Sequence, residues 1–342
     1  MKILFVISGG LRTLGGAVVS TLVFARKLER DLGHRCVVLT GHPVSRRETI
    51  GGIEIAAYRD VEELKHGVET FRPDVIVGAL KDAVDALRVA NRSGIPAALY
   101  LHSYEFCPPT LAERGEWGIA AESAFPSDAE ADFVFASANA VFVCSRHLQQ
   151  VLEAKRHLSS EVIPCDFDPD EVMLDKRRPY HAEYITGVCG YRHKGIEIFL
   201  GLAERFPRER FLLAGDLGAD IDLSYRRRLE ALPNVSLPGR MTLENMLARS
   251  RIVVVPSQWP EPFGRIAVEA MANAVPVLAS DAGGLREILG GSPMRVERYR
   301  EGDVWANRLA GLMDSRELRE LYAREGKIRA RPFLEGNSTA AL

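Results

Sequence analysis

Short apolar runs alternate with amphipathic stretches along the chain. In the first half the runs Lys2–Ser8, Arg35–Thr40, Ile53–Tyr58, Asp74–Val77, Ile95–Leu101, Ala140–Cys144 and Glu161–Pro164 read as strands. Between them, Gly16–Leu32, Val61–Phe71, Asp82–Ser93 and Arg146–His157 have the apolar spacing of helices. The runs lack polar alternation, as strands buried on both faces do. Strand–helix–strand order predicts a parallel sheet with right-handed crossovers.

The pattern breaks between Pro164 and about Tyr180. Cys165-Asp166-Phe167-Asp168-Pro169-Asp170 is rich in turn formers, and Lys176-Arg177-Arg178-Pro179 is polar and ends in proline. Alternation then restarts, with strands expected at Tyr184–Val188, Arg210–Leu213, Val235–Leu237, Ile252–Pro256, Val275–Ala279 and Met294–Val296. Helices fit Lys194–Phe206, Leu223–Leu232, Thr242–Ser250, Gly264–Asn273 and Asp303–Asp314. The expected organisation is a first domain over 1–165, a linker over 166–180 and a second domain over 181–315. A charged helix then opens at Arg316; it and a frayed tail occupy 316–342, and the helix is placed back across the first domain. Doubly wound pairs of this kind bind ligands in the cleft between them, at the carboxyl ends of the strands.

Composition narrows the class. A chain of 342 residues suits two domains at about 150 residues each. Lys plus Arg number 44 against 46 for Asp plus Glu, which excludes the positive excess of a nucleic-acid-coating protein and gives no support for membrane contact. No apolar run approaches the roughly 18 residues of a membrane span, and the apolar core of Lys2–Ser8 is too short for a secretory signal. The five cysteines, Cys36, Cys107, Cys144, Cys165 and Cys189, are odd in number, far apart and without a CxxC pair. They fit a reducing cytoplasm and no structural zinc. The histidines His34, His42, His66, His147, His157, His181 and His193 show no metal-ligand spacing, and Arg226-Arg227-Arg228 reads as a solvated helix face.

The densest chemistry follows the strand Ile252–Pro256. It is Pro260-Glu261-Pro262-Phe263-Gly264-Arg265-Ile266-Ala267-Val268-Glu269-Ala270-Met271-Ala272, and after the next strand comes Ser280-Asp281-Ala282-Gly283-Gly284-Leu285-Arg286-Glu287. Glu261 precedes a proline and is biased away from helix, into the strand-to-helix loop. Glu269 falls inside the helix. Their spacing would span about 12 Å if fully helical, too far for the carboxylates of a retaining hydrolase at about 5–5.5 Å. It suits two acceptors on different parts of one long ligand. A helix N-terminus near Gly264 adds free backbone N–H donors.

This Glu-x7-Glu inside Pro-Glu-Pro-Phe-Gly, followed by Pro-Val-x-Ala-Ser-x-x-Gly-Gly-x-x-Glu, resembles the retaining GT-B glycosyltransferases of family GT4 (glycosyl transferases group 1). Leu212-Leu213-Ala214-Gly215, Asn234-Val235-Ser236-Leu237-Pro238-Gly239 and Gly15-Gly16 extend the resemblance over most of the chain. It implies the GT-B fold: α/β, two Rossmann-like doubly wound parallel-sheet domains facing a central cleft. It also implies residue roles. Glu261 would contact the donor sugar's hydroxyls and Glu269 the nucleotide ribose, with the backbone at Phe263 and Gly264 facing the sugar. The family's diphosphate-binding Arg and Lys fall on Arg192 and Lys194, at a shorter interval than the family shows. Lys194 would open a helix, where the dipole disfavours a cation unless an anion binds. Gly15 and Gly16, after Gly9-Gly10 and Leu11–Leu14, would approach the leaving diphosphate. Arg240 and Met241 would meet the nucleobase. In Leu101-His102-Ser103-Tyr104-Glu105-Phe106-Cys107-Pro108 the chain keeps the family's His, Tyr, Cys and Pro but has Ser103 where the family has Asp. His102 would lie near the donor sugar and help the acceptor proton leave.

Plainer readings stand beside these roles: a solvated carboxylate for Glu269, an exposed lysine for Lys194, an ordinary strand-to-helix turn for Gly15-Gly16 and a satisfied structural histidine for His102. The expected activity is transfer of a hexosyl unit from a nucleotide-sugar to an acceptor hydroxyl with retention, in glycan, glycolipid or natural-product biosynthesis. His102, Lys194 and Glu261 would carry the catalysis, without metal or cofactor, and domain closure would gate it. Acceptor choice is expected in Cys107–Phe125, with the acceptor and oligomeric state open. A non-catalytic nucleotide-sugar-binding protein and a GT-B nucleotide-sugar epimerase are the alternatives.

Overall fold

In the computed structural model, which describes residues 1–8, 15–41, 47–119, 125–175, 181–217 and 223–336, the apolar runs form two separate sheets. The first unit comprises the described residues within 1–108, 124–167 and 336–342, and the second those within 109–123 and 168–335.

The first unit contains β1 (Lys2–Ile7), β2 (Arg35–Gly41), β3 (Arg47–Ile50), β4 (Ile53–Tyr58), β5 (Val75–Ala79), β6 (Ala97–Leu101), β7 (Ala140–Val143) and β8 (Glu161–Val162). They are ordered β3-β4-β2-β1-β5-β6-β7-β8, and each neighbouring pair is parallel except β3–β4. β1 is flanked by β2 and β5, so Leu4, Phe5, Val6 and Ile7 are buried. Interior position on both faces is why this strand reads as an unbroken apolar run. Between strands lie α1 (Gly16–Leu32), α2 (Val61–Phe71) and α3 (Ala83–Ser93), and later α4 (Leu111–Trp117), α5 (Asp128–Ser137) and α6 (Arg146–Arg156). Of these, α4 belongs to the second unit. α1 stops at Gly33, whose φ of 66° gives the left-handed cap that returns its N–H to Glu29 and Leu28.

The second unit holds β9 (Tyr184–Gly190), β10 (Arg210–Leu217), β11 (Val235–Gly239), β12 (Ser250–Val255), β13 (Val277–Ser280) and β14 (Arg295–Val296), ordered β11-β10-β9-β12-β13-β14 and parallel throughout. Its remaining helices are α7 (Pro169–Val172), α8 (Ile196–Arg205), α9 (Leu223–Ala231), α10 (Leu243–Leu247), α11 (Arg265–Ala272), α12 (Gly284–Leu289), α13 (Gly302–Asp314) and α14 (Arg316–Glu335). Trp305 on α13 is fully buried, and its indole N–H donates to Tyr299 O at 2.7 Å.

Several elements depart from expectation. The β3–β4 hairpin turns on Gly51-Gly52, both at positive φ, the geometry that a two-residue hairpin loop requires. α4 and α5 begin at capping boxes, Thr110 with Glu113 and Ser127 with Glu130, a signature present in the sequence that hydrophobic spacing alone passed over. The helix expected over Thr242–Ser250 ends at Leu247, because Ser250 enters β12 and its hydroxyl donates to Thr186. α14 packs within the second unit, where Gly326 lies against Met271 of α11. In the expected linker, Asp168 caps α7, whereas Asp166 is buried and takes an ion pair from Lys27 at 2.7 Å. Lys176–Pro179, His42 and the tail beyond 336 lie outside the described residues. Cys144 and Cys165, distant in sequence, meet through a side-chain hydrogen bond; both are buried free thiols.

Candidate functional site

The second unit gathers charge where two loops meet. β12 ends at Val255, and the chain runs through Ser257, Trp259 and Glu261 before α11 starts at Arg265. Glu261 forms an isolated parallel bridge with Gly283, and the Gly284 N–H donates to Glu261 O at 2.6 Å. Gly283 has a φ of 60°, and a Cβ there would lie 2.3 Å from Glu261 O. Only glycine lets the Gly283-Gly284 turn approach this closely.

Lys194 reaches the same point from β9. The expected helix over Lys194–Phe206 begins later: Arg192–Lys194 is a single 3-10 turn and α8 starts at Ile196. Gly195 between them has a φ of 82°, and a Cβ on it would stand 1.9 Å from Pro256 O. This contact holds the turn on the end of β12. Lys194 Nζ consequently lies 2.8 Å from each carboxylate oxygen of Glu261 and 4.9 Å from the centre of the Trp259 ring. The cation is therefore met by a carboxylate and an aromatic face, rather than left exposed at a helix start.

Glu261 is 5% exposed, and the Ser257 hydroxyl donates to it. Burial by itself would raise its carboxyl. The adjacent Lys194 charge, with hydrogen bonds from Lys194, Ser257 and Trp259, outweighs burial and holds it below the usual carboxylate range. His193 is tucked against Tyr191 and Trp259, at ring distances of 5.3 and 4.8 Å. Burial and then the Lys194 charge push its imidazole down to about 4, so it is neutral at pH 7. His193 Nδ1 is buried with no hydrogen-bond partner among the described residues. In the sequence His193 shows no metal-ligand spacing, and only its packing sets it apart.

Glu269 sits in α11 and pairs with Arg265 at 3.1 Å, both side chains largely buried. It is not a solvated carboxylate. Arg265 was missed, although an i,i+4 Arg–Glu pair is legible in sequence. Gly264 precedes α11 with a φ of 107°, and Phe263 turns its buried ring onto Phe333 at 5.6 Å. Arg192 and Arg240 stand apart from this cluster. Arg192 is half-exposed and pairs with Glu197 at 3.2 Å. Arg240 is exposed and donates to Asp216, holding that carboxyl below its usual range. Met241 is half-buried in the segment between β11 and α10. Arg226, Arg227 and Arg228 are exposed, and Arg228 pairs with Glu204 at 2.8 Å.

Part of the segment expected to choose the acceptor belongs to the second unit. Trp117 of α4 is buried, Gly118 lies against Arg192, and Glu116 pairs with Arg300. Residues 120–124 lie outside the described residues.

In the first unit, Gly15 is the extended N-cap of α1 and Gly16 its first residue, both exposed. Among the described residues no side chain caps α1, and nothing lies within 4 Å of where a Gly15 Cβ would be. Gly9, Gly10 and Leu11–Leu14 are outside the described residues. His102 follows β6, is buried, and faces Tyr100 at a ring distance of 4.1 Å. Its Nε2 lies 3.5 Å from Thr21 Oγ1. Asp82 stands at the expected helix start, as the N-cap residue of α3, and its carboxylate ties the ends of β1 and β2 by accepting from Ser8 Oγ at 2.6 Å and Gly41 N at 2.9 Å.

Among the described residues no group of three or more His, Cys, Asp or Glu is placed to hold a metal ion, and no helix is long and apolar enough to cross a membrane.

Residues 190–329 match the family model described as glycosyl transferases group 1, a span containing Lys194, Glu261 and Glu269. The chain is similar to the phosphatidylinositol N-acetylglucosaminyltransferase gpi3 subunit of Schizosaccharomyces pombe, 28% identical over 170 residues, covering 46% of this chain and 36% of that protein. The chain thus spans about a third of that curated relative's length. Among solved structures it resembles Anabaena HepE in complex with UDP and glucose, with a TM-score of 0.78 at 19% identity over 96% of this chain and 94% of that one. It also resembles sucrose-phosphate synthase from Thermosynechococcus elongatus, with a TM-score of 0.76 at 18% identity, covering 97% and 94%. The fold is that of the GT-B glycosyltransferases, two parallel-sheet α/β domains, as expected from the sequence.

Proposed function

We propose that this protein is a retaining GT4-type hexosyltransferase, taking a hexosyl unit from a nucleotide-sugar to an acceptor hydroxyl. The observation that carries the reading is the Lys194–Glu261 pair beside the start of α11, with Arg265–Glu269 one turn further along that helix. The match of residues 190–329 to a glycosyltransferase family model supports it. So does the complex of a structural neighbour with UDP and glucose.

Each group has chemistry suited to one part of such a donor. Lys194 offers a compact cation to a diphosphate whose charge grows as it leaves. The backbone N–H groups at the helix start of α11 would add donors to the same oxygens. Glu261, held ionised by its neighbours, accepts from sugar hydroxyls, and Glu269 accepts from ribose hydroxyls. Lys194 and these N–H groups meet the diphosphate charge, and we propose no metal for the step. In same-face transfer, the acceptor oxygen bonds to the anomeric carbon as the bond to the diphosphate oxygen breaks. The departing phosphate oxygen takes the acceptor's proton. The buried free thiols suit a reducing cytoplasm.

The test is a thermal-shift panel of nucleoside diphosphates and nucleotide-sugars on the wild type and Glu269→Ala. A ligand at 100 times its Kd adds about 2.7 kcal/mol. Stabilisation by one nucleotide series, lost in the variant, is expected. Absence of stabilisation by every member overturns the reading. Product analysis with and without an acceptor then separates transfer from epimerisation.

A further inference from the structure

Trp259 lies midway between Ser257 and Glu261, and its place is set by the backbone. His193 O accepts the N–H of Gln258 at 2.8 Å and that of Trp259 at 3.4 Å. The Gln258 amide in turn donates to Pro256 O at 2.8 Å and to Tyr299 O at 3.3 Å. The loop is thereby joined to the Arg192–Lys194 turn, and the indole meets three groups of the site. The His193 ring stands edge-to-face with it at 4.8 Å and 65°. Lys194 Nζ is 4.9 Å from its centre. Its N–H supports the Glu261 carboxylate.

An ammonium has three N–H donors. Two of those on Lys194 serve the two oxygens of Glu261, each at 2.8 Å, which leaves one for a ligand oxygen. Lys194 is partly exposed, so a ligand can reach it. What else holds the cation then matters. A second carboxylate at position 259 would hold it but repel a diphosphate. An aliphatic side chain there would leave it to Glu261 alone. An aromatic face attracts a cation without adding an anion, and indole does so best. The neighbouring His193 adds no repulsion, because burial and then the Lys194 charge push its imidazole down to about 4.

We propose that Trp259 is a positioning residue for the donor diphosphate: its indole face holds the Lys194 ammonium where that cation serves Glu261 and a phosphate oxygen together. This role rests on the donor reading above; the contact between ring and ammonium does not.

The test is ¹H–¹³C NMR of the full chain labelled at the lysine Cε, with Lys194 assigned by its loss in Lys194→Arg and inorganic pyrophosphate as the probe. Protons over an aromatic face resonate upfield. The Lys194 methylene is therefore expected upfield of the exposed lysines in the wild type and in Trp259→Phe, and among them in Trp259→Leu. Pyrophosphate is expected to move that resonance in the wild type. It is expected to bind Trp259→Phe within about 2-fold of wild type and Trp259→Leu about 5-fold more weakly, as loss of a partly desolvated cation–π contact implies. A wild-type methylene that is not displaced upfield overturns the proposal, and that reading needs no variant to fold. A folded Trp259→Phe that binds as weakly as Trp259→Leu overturns it too. Pyrophosphate that leaves the upfield methylene of the wild type unmoved overturns the donor reading, and the role falls with it. Binding at Lys194 that is as tight in a folded Trp259→Leu as in the wild type overturns the role alone and keeps the donor reading.

Discussion

Glu261 and Glu105 are carboxylates drawn out of water in different units, and their surroundings send them opposite ways. In the second unit Lys194, Ser257 and Trp259 converge on Glu261, and its carboxyl is held below the usual range. In the first unit burial lifts Glu105, against backbone hydrogen bonds at Glu105 and Ser103 and the weaker opposing effect of His102. Burial acts in the same direction on both. The difference comes from a neighbour with a charge, which in a low-dielectric setting counts for more than several dipoles. The same logic separates Lys194 from Arg192. Two residues apart, one is clamped between a carboxylate and an indole, and the other pairs with Glu197 in solvent.

The largest test of this contrast is Lys194→Met. Removing one partner of a buried pair costs about 3–5 kcal/mol, and because Lys194 is 29% exposed the lower end is expected. Urea unfolding at pH 7 measures it. Lys194→Met with Glu261→Gln should recover most of the loss, since no uncompensated charge is then buried. A single variant as stable as wild type would mean that Glu261 does not depend on Lys194 for its charge.

A smaller effect is expected in acid from His193. The folded chain holds its imidazole neutral down to about 4, whereas the unfolded chain takes up a proton near 6.5. Its contribution to stability is therefore complete above pH 6.5 and is lost as pH falls towards 4. The Glu261 contribution is present above the unfolded carboxyl's 4.5 and is lost as pH falls from there through its lowered folded value. Wild type should lose up to about 2 kcal/mol across the window, the 1.36 kcal/mol per unit being discounted for a partly exposed ring. His193→Gln should flatten that slope. Denaturation midpoints at stepped pH decide it, and parallel curves would remove His193 as the cause.

The smallest effect sharpens the comparison from its exposed side. Arg192→Ala breaks a solvent-facing pair and should change stability by less than about 0.5 kcal/mol. It should leave nucleotide-dependent stabilisation intact where Lys194→Met reduces it. Equal losses in both variants would return Arg192 to the donor site.

Much of the fold was legible because the interior strands have no polar face to present. α1 and α2 ended where their sequence patterns did, at Leu32 and Phe71. Elements with weak apolar spacing but clear terminal chemistry, α4, α5 and the β3–β4 hairpin, were passed over although their capping boxes and Gly-Gly turn were in plain view. Of the site, Glu261, Lys194 and Glu269 were singled out from motif and spacing. Arg265 and His193 were not, because their importance lies in what they touch.

The amino-acid sequence alone determined the layered α/β plan, the break between the two sheets and the positions of the acidic motif and the Gly283-Gly284 turn. These follow from period, turn chemistry and residue type, which act over a few residues. Tertiary structure decided which charges are paired. Lys194 and Glu261 are 67 residues apart and meet only because Gly195 and Gly283 let three backbone segments close without a Cβ between them. Cys144 with Cys165, and Lys27 with Asp166, were likewise joined by the fold. A carboxylate's charge depends on solvent exclusion and on the nearest opposite charge, and both are properties of the packed chain.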